Sequence, residues 1–381
     1  MPSRLIVVKV GTSGITTDKG EIDEQEMQSL AYQIAQATKQ GDKMVLVTSG
    51  AVAAGVAELG IAPKPNDVVF QQAAAATGQS VLMAKYRKLF ALYGLKVAQI
   101  LLTAEDLSNR ESYVHICDVV SLLLKSGVVP IINENDVTSV AELRLIEGYK
   151  INFSDNDILS VLVAGAIGAD LIIILSDVEG LYTSDPSDPG AELIRTVDII
   201  TEELKNSLKG KNKRGRGGIQ SKIKAAEIAT NCGIPVIVSN SRRENVITNI
   251  IAGKEVGTYF RPQKRMPAMK RWIAYGAAVK GVIQVNNGAK EAILQGSSLL
   301  AVGVIKVVGV FNVGDVVILE DENHQEFARG NPNFNSSQLD QIKGLQLSEV
   351  LERLGADKPK EIIEHRNIHH IEANKENDNN D

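Results

Sequence analysis

Through the first two-thirds of the chain, short unbroken apolar runs alternate with longer segments whose apolar positions recur every three or four residues. The runs fall at 5–10, 44–47, 97–102, 128–132, 171–175 and 235–238. They are apolar throughout rather than alternating, which is the pattern of strands covered on both faces. The intervening helical patterns include one opened by Asp23 with Glu26 three residues on, and others at 71–93, 111–125 and 156–167. This order predicts an α/β domain with a mostly parallel sheet and right-handed crossovers. The most apolar stretch, 159–175, is broken by Gly165, Gly168 and Asp170, so it reads as a helix followed by a buried strand and not as a membrane span.

After about residue 268 the texture changes. Short β-rich segments are separated by turn signals, among them Asn286-Asn287-Gly288 and Asn312-Val313-Gly314-Asp315, and helical patterning is sparse until 345–354. The expected organisation is a first domain over 1–260, a basic, Pro-bracketed linker over 261–267, a small mainly β domain over 268–366, and a disordered polar tail over 367–381.

Composition narrows the function classes. The chain has 381 residues, 41 Lys plus Arg and 46 Asp plus Glu, for a net charge of −5. That balance gives no global reason to expect nucleic acid or an anionic membrane as the main partner. Two cysteines, Cys117 and Cys232, make neither a disulfide framework nor a metal site, and a cytoplasmic location is expected. The apolar run near the N-terminus is short and carries Lys9, unlike a signal peptide.

Ligands of open parallel sheets bind beyond the carboxyl ends of the strands. The polar residues there are Lys9-Val10-Gly11-Thr12-Ser13-Gly14, Thr48-Ser49-Gly50, Asn133-Glu134-Asn135-Asp136, Ser176-Asp177, Asp155-Asn156-Asp157, and the loop before Lys222. Any one of these alone is an ordinary turn or helix cap. Together they offer two lysines, two Gly-rich loops and several carboxylates, a combination suited to phosphate and a divalent cation. The P-loop and the dinucleotide fingerprint are absent, and no Asp-Phe-Gly accompanies His365-Arg366-Asn367. Four of the five histidines lie in the last sixty residues, so no Ser/His/Asp arrangement is credible.

The segments VVKVGTS (7–13), VTSGAVAAG (47–55), QAAAATGQS (72–80), PIINEND (130–136), SDNDILS (154–160), ADLIIILSDVEGLYTSDP (169–186), GGIQSK (217–222) and VGTYF (256–260) are similar, in this order, to the amino-acid kinase family. KRWI (270–273), GSSLLAVGV (296–304) and EHR (364–366) resemble a PUA domain, as found behind the glutamate-phosphorylating members of that family. The resemblance implies a three-layer α/β amino-acid-kinase-like domain followed by a small PUA-like domain. It implies ATP-dependent phosphorylation, with Mg²⁺, of the side-chain carboxylate of L-glutamate to glutamyl 5-phosphate, the opening step of proline synthesis. Proline feedback and a homo-oligomer are further implications.

By position, Lys9, Lys222, Asp155 and Asp157 take the catalytic places. Lys9, Ser176, Asp177, Arg216, Gly217, Gly218, Ile219, Gln220, Ser221 and Lys222 take the ATP places, and Ser49, Asp136 and Asn156 the substrate places. No metal ligand is assigned. The chain departs from the family pattern at Ser154, at Arg216 and at His115-Ile116-Cys117.

The chemistry is self-consistent. A carboxylate nucleophile of ordinary pKa about 4.3 is ionised at neutral pH, so no general base is needed. Catalysis then reduces to bringing two anions together and neutralising charge on the transferred group. Asp155 and Asp157 fit as organisers of the lysines or the metal. The NEND and DND segments and the C-terminal module disfavour an aspartate, acetylglutamate, carbamate or uridylate substrate. An RNA-binding role for the second module finds little support, since residues 268–343 carry seven Lys/Arg and seven Asp/Glu.

Overall fold

The structure, a computed structural model, describes residues 3–61, 67–139, 156–184, 188, 190–207, 218–355 and 359–371. The chain divides into two compact units: residues 1–107 with 113–266, and residues 267–381 with 108–112.

The strands of the first unit are β1 (Leu5–Val10), β2 (Lys43–Val47), β3 (Lys96–Leu102), β4 (Val128–Glu134), β5 (Leu171–Ser176), β6 (Leu181–Tyr182), β7 (Leu193–Ile194), β8 (Thr196–Val197), β9 (Val236–Asn240) and β10 (Thr258–Phe260). β6 and β7 pair with each other. The rest form an eight-stranded sheet in the order β3-β4-β2-β1-β5-β9-β10-β8. From β3 to β9 every pair is parallel, and β10 runs antiparallel to β9. All the parallel strands therefore finish at one edge. Strands β1, β2, β4 and β5 are almost wholly buried, as unbroken apolar runs require. β3 matches an apolar run too, yet it is largely accessible because it is the last strand of the sheet.

Helices cover both faces. On one, Ile6, Val8 and Val10 of β1 join Met27, Leu30 and Ile34 of the helix Glu24–Lys39 and Leu82, Tyr86 and Phe90 of the helix Val68–Ala91. Asp23 starts the first of these helices by accepting from the backbone N–H groups of Gln25 and Glu26. By strand alternation, Val7 and Lys9 point to the other face, where the helices Asn156–Ile167 and Ile219–Asn231 lie. A glycine seam joins the helix Ala51–Leu59 to Val68–Ala91. A Cβ on Gly78 would stand 1.9 Å from the Ala51 carbonyl oxygen and 2.3 Å from the Gly55 nitrogen, and one on Gly55 would stand 1.7 Å from the Ala74 oxygen.

The second unit holds a five-stranded sheet of β11 (Val279–Val285), β12 (Val304–Gly309), β13 (Val316–Glu320), β14 (Glu326–Gly330) and β15 (Ile368–His370), in the order β12-β11-β13-β14-β15. β11 and β13 are parallel and the other neighbours antiparallel. Ile283, Val285, Phe311, Val317, Leu319 and Phe334 lie in its core.

Three expectations change here. Asn286-Asn287-Gly288 is no open turn: the Asn286 side chain accepts from the Ala289 N–H and caps the helix Asn287–Leu294. The stretch 367–381 is not wholly a tail, because β15 adds Ile368–His370 to the sheet beside β14. The segment 261–267 is tied to the first unit, since the Arg261 N–H donates to the Val197 carbonyl and the Gln263 N–H to the Thr230 carbonyl.

Gly78→Ala tests the seam. An exposed helical glycine gains stability on becoming alanine, but here the helices must separate. Equilibrium denaturation is expected to show a loss of about 1–3 kcal/mol or more, the scale of an overpacked core.

Candidate active site

The parallel sheet delivers Lys9 next to the carboxyl end of its central strand, in register with Val47 on β2 and Ile174 on β5. Residues beyond β4 and β5 reach the same edge. The helices Asn156–Ile167 and Ile219–Asn231 begin there, which brings Asp157 and Lys222 to Lys9.

Asp157 is fully buried, and Lys9 and Lys222 are each only 5% exposed. Lys9 Nζ lies 2.5 Å from Asp157 Oδ1 and Lys222 Nζ 3.1 Å from Oδ2. Burial alone would push the Asp157 carboxyl up, but the two ammonium groups outweigh it and hold the carboxyl below the ordinary aspartate range. Among the described residues two cations meet one anion, an excess of positive charge in a water-poor site, where charge acts on a ligand with little screening. Immediately before Lys222, the Ser221 hydroxyl is buried with no hydrogen-bond partner among the described residues. The helix starts at Gly218 with no side-chain cap among the described residues, and the N-terminus of a helix suits an anion.

Beside the charged cluster runs a chain of amides. Asn156 Nδ2 donates to the Thr48 carbonyl at 2.7 Å, to Ser49 Oγ at 2.8 Å and to Asn133 Oδ1 at 3.0 Å. Asn133 Nδ2 in turn donates to Gln79 Oε1 at 2.9 Å. Thr48 is anchored from below by a 2.7 Å bond between its hydroxyl and that of Tyr86. Burial raises the Tyr86 phenol well above its usual value, so it stays protonated. A cavity of about 240 Å³ opens beside this chain, lined by Gln79, Ser80, Gln99, Glu134, Asn135 and Asp136 among others. Burial pushes the Asp136 carboxyl up, against a smaller lowering by its own backbone N–H.

Of the residues singled out from sequence, Lys9, Lys222 and Asp157 meet directly, and Ser49 and Asn156 meet in the amide chain. Asp136 lines the cavity. Gly218, Ile219, Gln220 and Ser221 form the start of the Lys222 helix. Ser176 ends β5 and donates from its hydroxyl to Asp177 Oδ1 at 2.9 Å. Asp155, Arg216, Gly217 and Ser154 lie outside the described residues. Sequence reasoning gave no role to Gln79 or Tyr86, and it named Thr48 and Asn133 only among the polar residues that follow the strands. The one available signal was a polar residue closing an apolar strand, as Asn133 closes 128–132. Among the described residues no three or more His, Cys, Asp or Glu side chains gather as a metal cage would, and no helix is long and apolar enough to cross a membrane.

Residues 4–240 match the amino acid kinase family and residues 281–354 match the PUA domain. Glutamate 5-kinase of Methanosarcina acetivorans is 42% identical over 379 residues, covering 97% of this chain and 96% of the relative. Glutamate 5-kinase of a Thermoanaerobacter species is 41% identical over 367 residues, covering 95% of this chain and 96% of that one. Among solved structures, carbamate kinase from Giardia lamblia bound to AMP-PNP superposes with a TM-score of 0.50 at 16% identity, over 69% of this chain and 99% of that one. That likeness extends to the fold alone.

Asp157→Asn should cost about 3–5 kcal/mol of unfolding free energy at neutral pH, because it leaves two buried ammonium groups face to face. The folded carboxyl has a depressed pKa, so its contribution is fully present above the unfolded value. It fades as pH falls below about 3.9 toward the folded value. Urea denaturation across that range should show the gap between the two proteins closing only in acid.

Proposed function

Since the chain belongs to the amino acid kinase family, and aligns nearly end to end with glutamate 5-kinases, we propose that its first unit transfers the γ-phosphoryl group of ATP to the side-chain carboxylate of L-glutamate, forming glutamyl 5-phosphate for proline synthesis. The observation that carries the phosphoryl-transfer reading is the buried Lys9–Asp157–Lys222 cluster, a fixed excess of positive charge at the carboxyl edge of a parallel sheet. The choice of glutamate is supported by the full-length similarity and by a cavity lined by Glu134 and Asp136 beside the amide chain.

In this reading the two lysines and the N–H groups at Gly218–Gln220 receive the phosphates, with the Ser221 hydroxyl, buried without a partner among the described residues, as an added donor. Ser176 and Asp177 border the nucleotide at the end of β5. Asp157 is not the base. Its pKa is depressed and both oxygens face ammonium groups, so its work is to hold the lysines apart and aimed. The acceptor carboxylate is already ionised, and the site need only hold it in line with the phosphorus while the lysines take up charge as the bridging P–O bond to ADP breaks. Asp157 is engaged by the lysines, and among the described residues no acidic cage surrounds it, an arrangement that fits a Mg²⁺ arriving on the nucleotide. When bound, it screens the phosphate charge. Asp136 receives the substrate ammonium, and Asn156 with Ser49 borders the same end of the substrate.

Hydroxylamine trapping of the acyl phosphate, with purified protein, ATP and either glutamate, aspartate or acetylglutamate, tests the assignment. Hydroxamate should form with glutamate, and Lys9→Ala or Lys222→Ala should lower turnover about 10²–10³-fold, the usual effect of losing one such electrostatic contact at about 2.7–4 kcal/mol. Hydroxamate with another acid alone, or near-normal turnover in both variants, contradicts the reading.

Asp136 supplies a pH test. Its carboxyl is raised, so it gains its proton at a pH above the ordinary aspartate value, and only the ionised form pairs with an ammonium. The KM for glutamate should rise as pH falls from neutral through that raised value, while the KM of Asp136→Asn, larger from the outset, stays flat over the same range.

A further inference from the structure

The amide chain has a direction. The Thr48 carbonyl can only accept, so the Asn156 group 2.7 Å from it is the amide nitrogen. The Asn133 atom facing that nitrogen is then the oxygen, and it also accepts from the Glu134 backbone N–H at 2.9 Å. Asn133 therefore turns its nitrogen to Gln79, which answers with its oxygen. Every orientation follows from a carbonyl that cannot donate and a backbone N–H that cannot accept. Flipping Gln79 would set donor against donor. The chain thus ends in two loose groups: Asn156 Oδ1, an acceptor, and Gln79 Nε2, a donor. Both are buried, and among the described residues neither has a partner. Gln79 is only 8% exposed and lines the cavity that also holds Asp136.

A buried amide nitrogen left unbonded is unfavourable unless a ligand completes it. We propose that Gln79 is a substrate-binding and specificity residue of this kinase, donating from Nε2 to the α-carboxylate of the amino acid whose ammonium group sits on Asp136. The inference rests on the glutamate reading above and deepens it. Ammonium and α-carboxylate share one carbon, so a donor in the same cavity wall as Asp136 addresses the carboxylate beside the ammonium. The side-chain carboxylate stays free to face Lys9 and Lys222. A fixed donor favours an acid at that position over its amide, because a bond to an ionised carboxylate is stronger than one to a neutral carbonyl.

The test uses the full-length protein with glutamate and with glutamate α-amide, read by hydroxamate formation at saturating ATP. Wild type should favour glutamate by about 100-fold or more in kcat/KM. Gln79→Met keeps the length and removes the donor. It should raise the KM for glutamate about 10-fold with the KM for ATP within about two-fold. Gln79→Glu keeps the oxygen that serves Asn133 and turns an anion toward the substrate. It should shrink the preference for acid over amide by at least about 10-fold, since the anion repels the carboxylate and accepts from the amide. A merely structural Gln79 would lower all activities without moving that ratio. Stabilisation of each variant by glutamate against thermal unfolding is read alongside, and Gln79→Met carries the test if Gln79→Glu does not fold. A Gln79→Met protein with an unmoved KM for glutamate, or an acid-to-amide ratio equal to wild type in Gln79→Glu, overturns the inference. If wild type itself yields no hydroxamate from glutamate, the functional reading falls, and this inference with it.

Discussion

One carboxylate holds the catalytic edge of this protein together. Asp157 lies out of contact with water, where a lone anion would be prohibitively unfavourable, and it is stable there because Lys9 and Lys222 each bond one of its oxygens. The dependence is mutual. Without the anion, two ammonium groups would be buried side by side. Three separate parts of the chain, the central strand and two helix starts, are thus brought together by a balance of charge that fails if any part is missing. Among the described residues the balance is incomplete in its sign, with two cations to one anion, which suits the phosphate-binding role proposed above.

Asn156 and Asp157 are consecutive, yet they serve different halves of the site. At the first positions of a helix, neighbouring side chains point about 100° apart, so Asp157 turns to the lysines while Asn156 turns to Thr48, Ser49 and Asn133. The ionic half is arranged for a polyanion, and the amide half is arranged for a small polar ligand with a donor and an acceptor. A single helix start fixes the distance between them. That is what an in-line transfer between two bound anions demands, because an ångström of misplacement at the reacting atoms is costly in rate.

The parallel sheet was legible because strands buried on both faces are apolar along their length, and β1, β2, β4 and β5 follow that pattern except for Lys9 in β1 and polar residues at their ends. β3 satisfies the same pattern for a different reason: it is an edge strand, and only the strand order reveals it. In the second unit one turn signal held, at Asn312–Asp315, and one misled, at Asn286. Asn is favoured both in open turns and as a helix cap, and Asn286 and Asn335 are caps. β15 was hidden in a stretch read as polar tail, since three residues are too few for a pattern. At the site, Lys9, Asp157 and Lys222 could be picked out by resemblance to a family. Their convergence on one carboxylate could not, as no spacing along the chain records a contact between residues 9, 157 and 222. Gln79 stood inside a segment that resembles the family but drew no role: it sits in an alanine-rich helix, where one amide looks like a surface residue until its burial is known.

The glycine seam has a consequence for how this chain can vary over generations. Gly55 and Gly78 each occupy the space the other's Cβ would need, so a change at one cannot be compensated at the other. Most core positions drift through paired swaps of volume, one side chain shrinking as its neighbour grows. Here there is no volume to exchange, because backbone already meets backbone. The residue after Gly78 is Gln79, and the helix opposite begins at Ser49-Gly50. The two positions most closed to drift therefore flank the two elements that must keep their separation for a ligand to fit, while Ala73, exposed on the same helix and outside the cavity wall, remains free to explore.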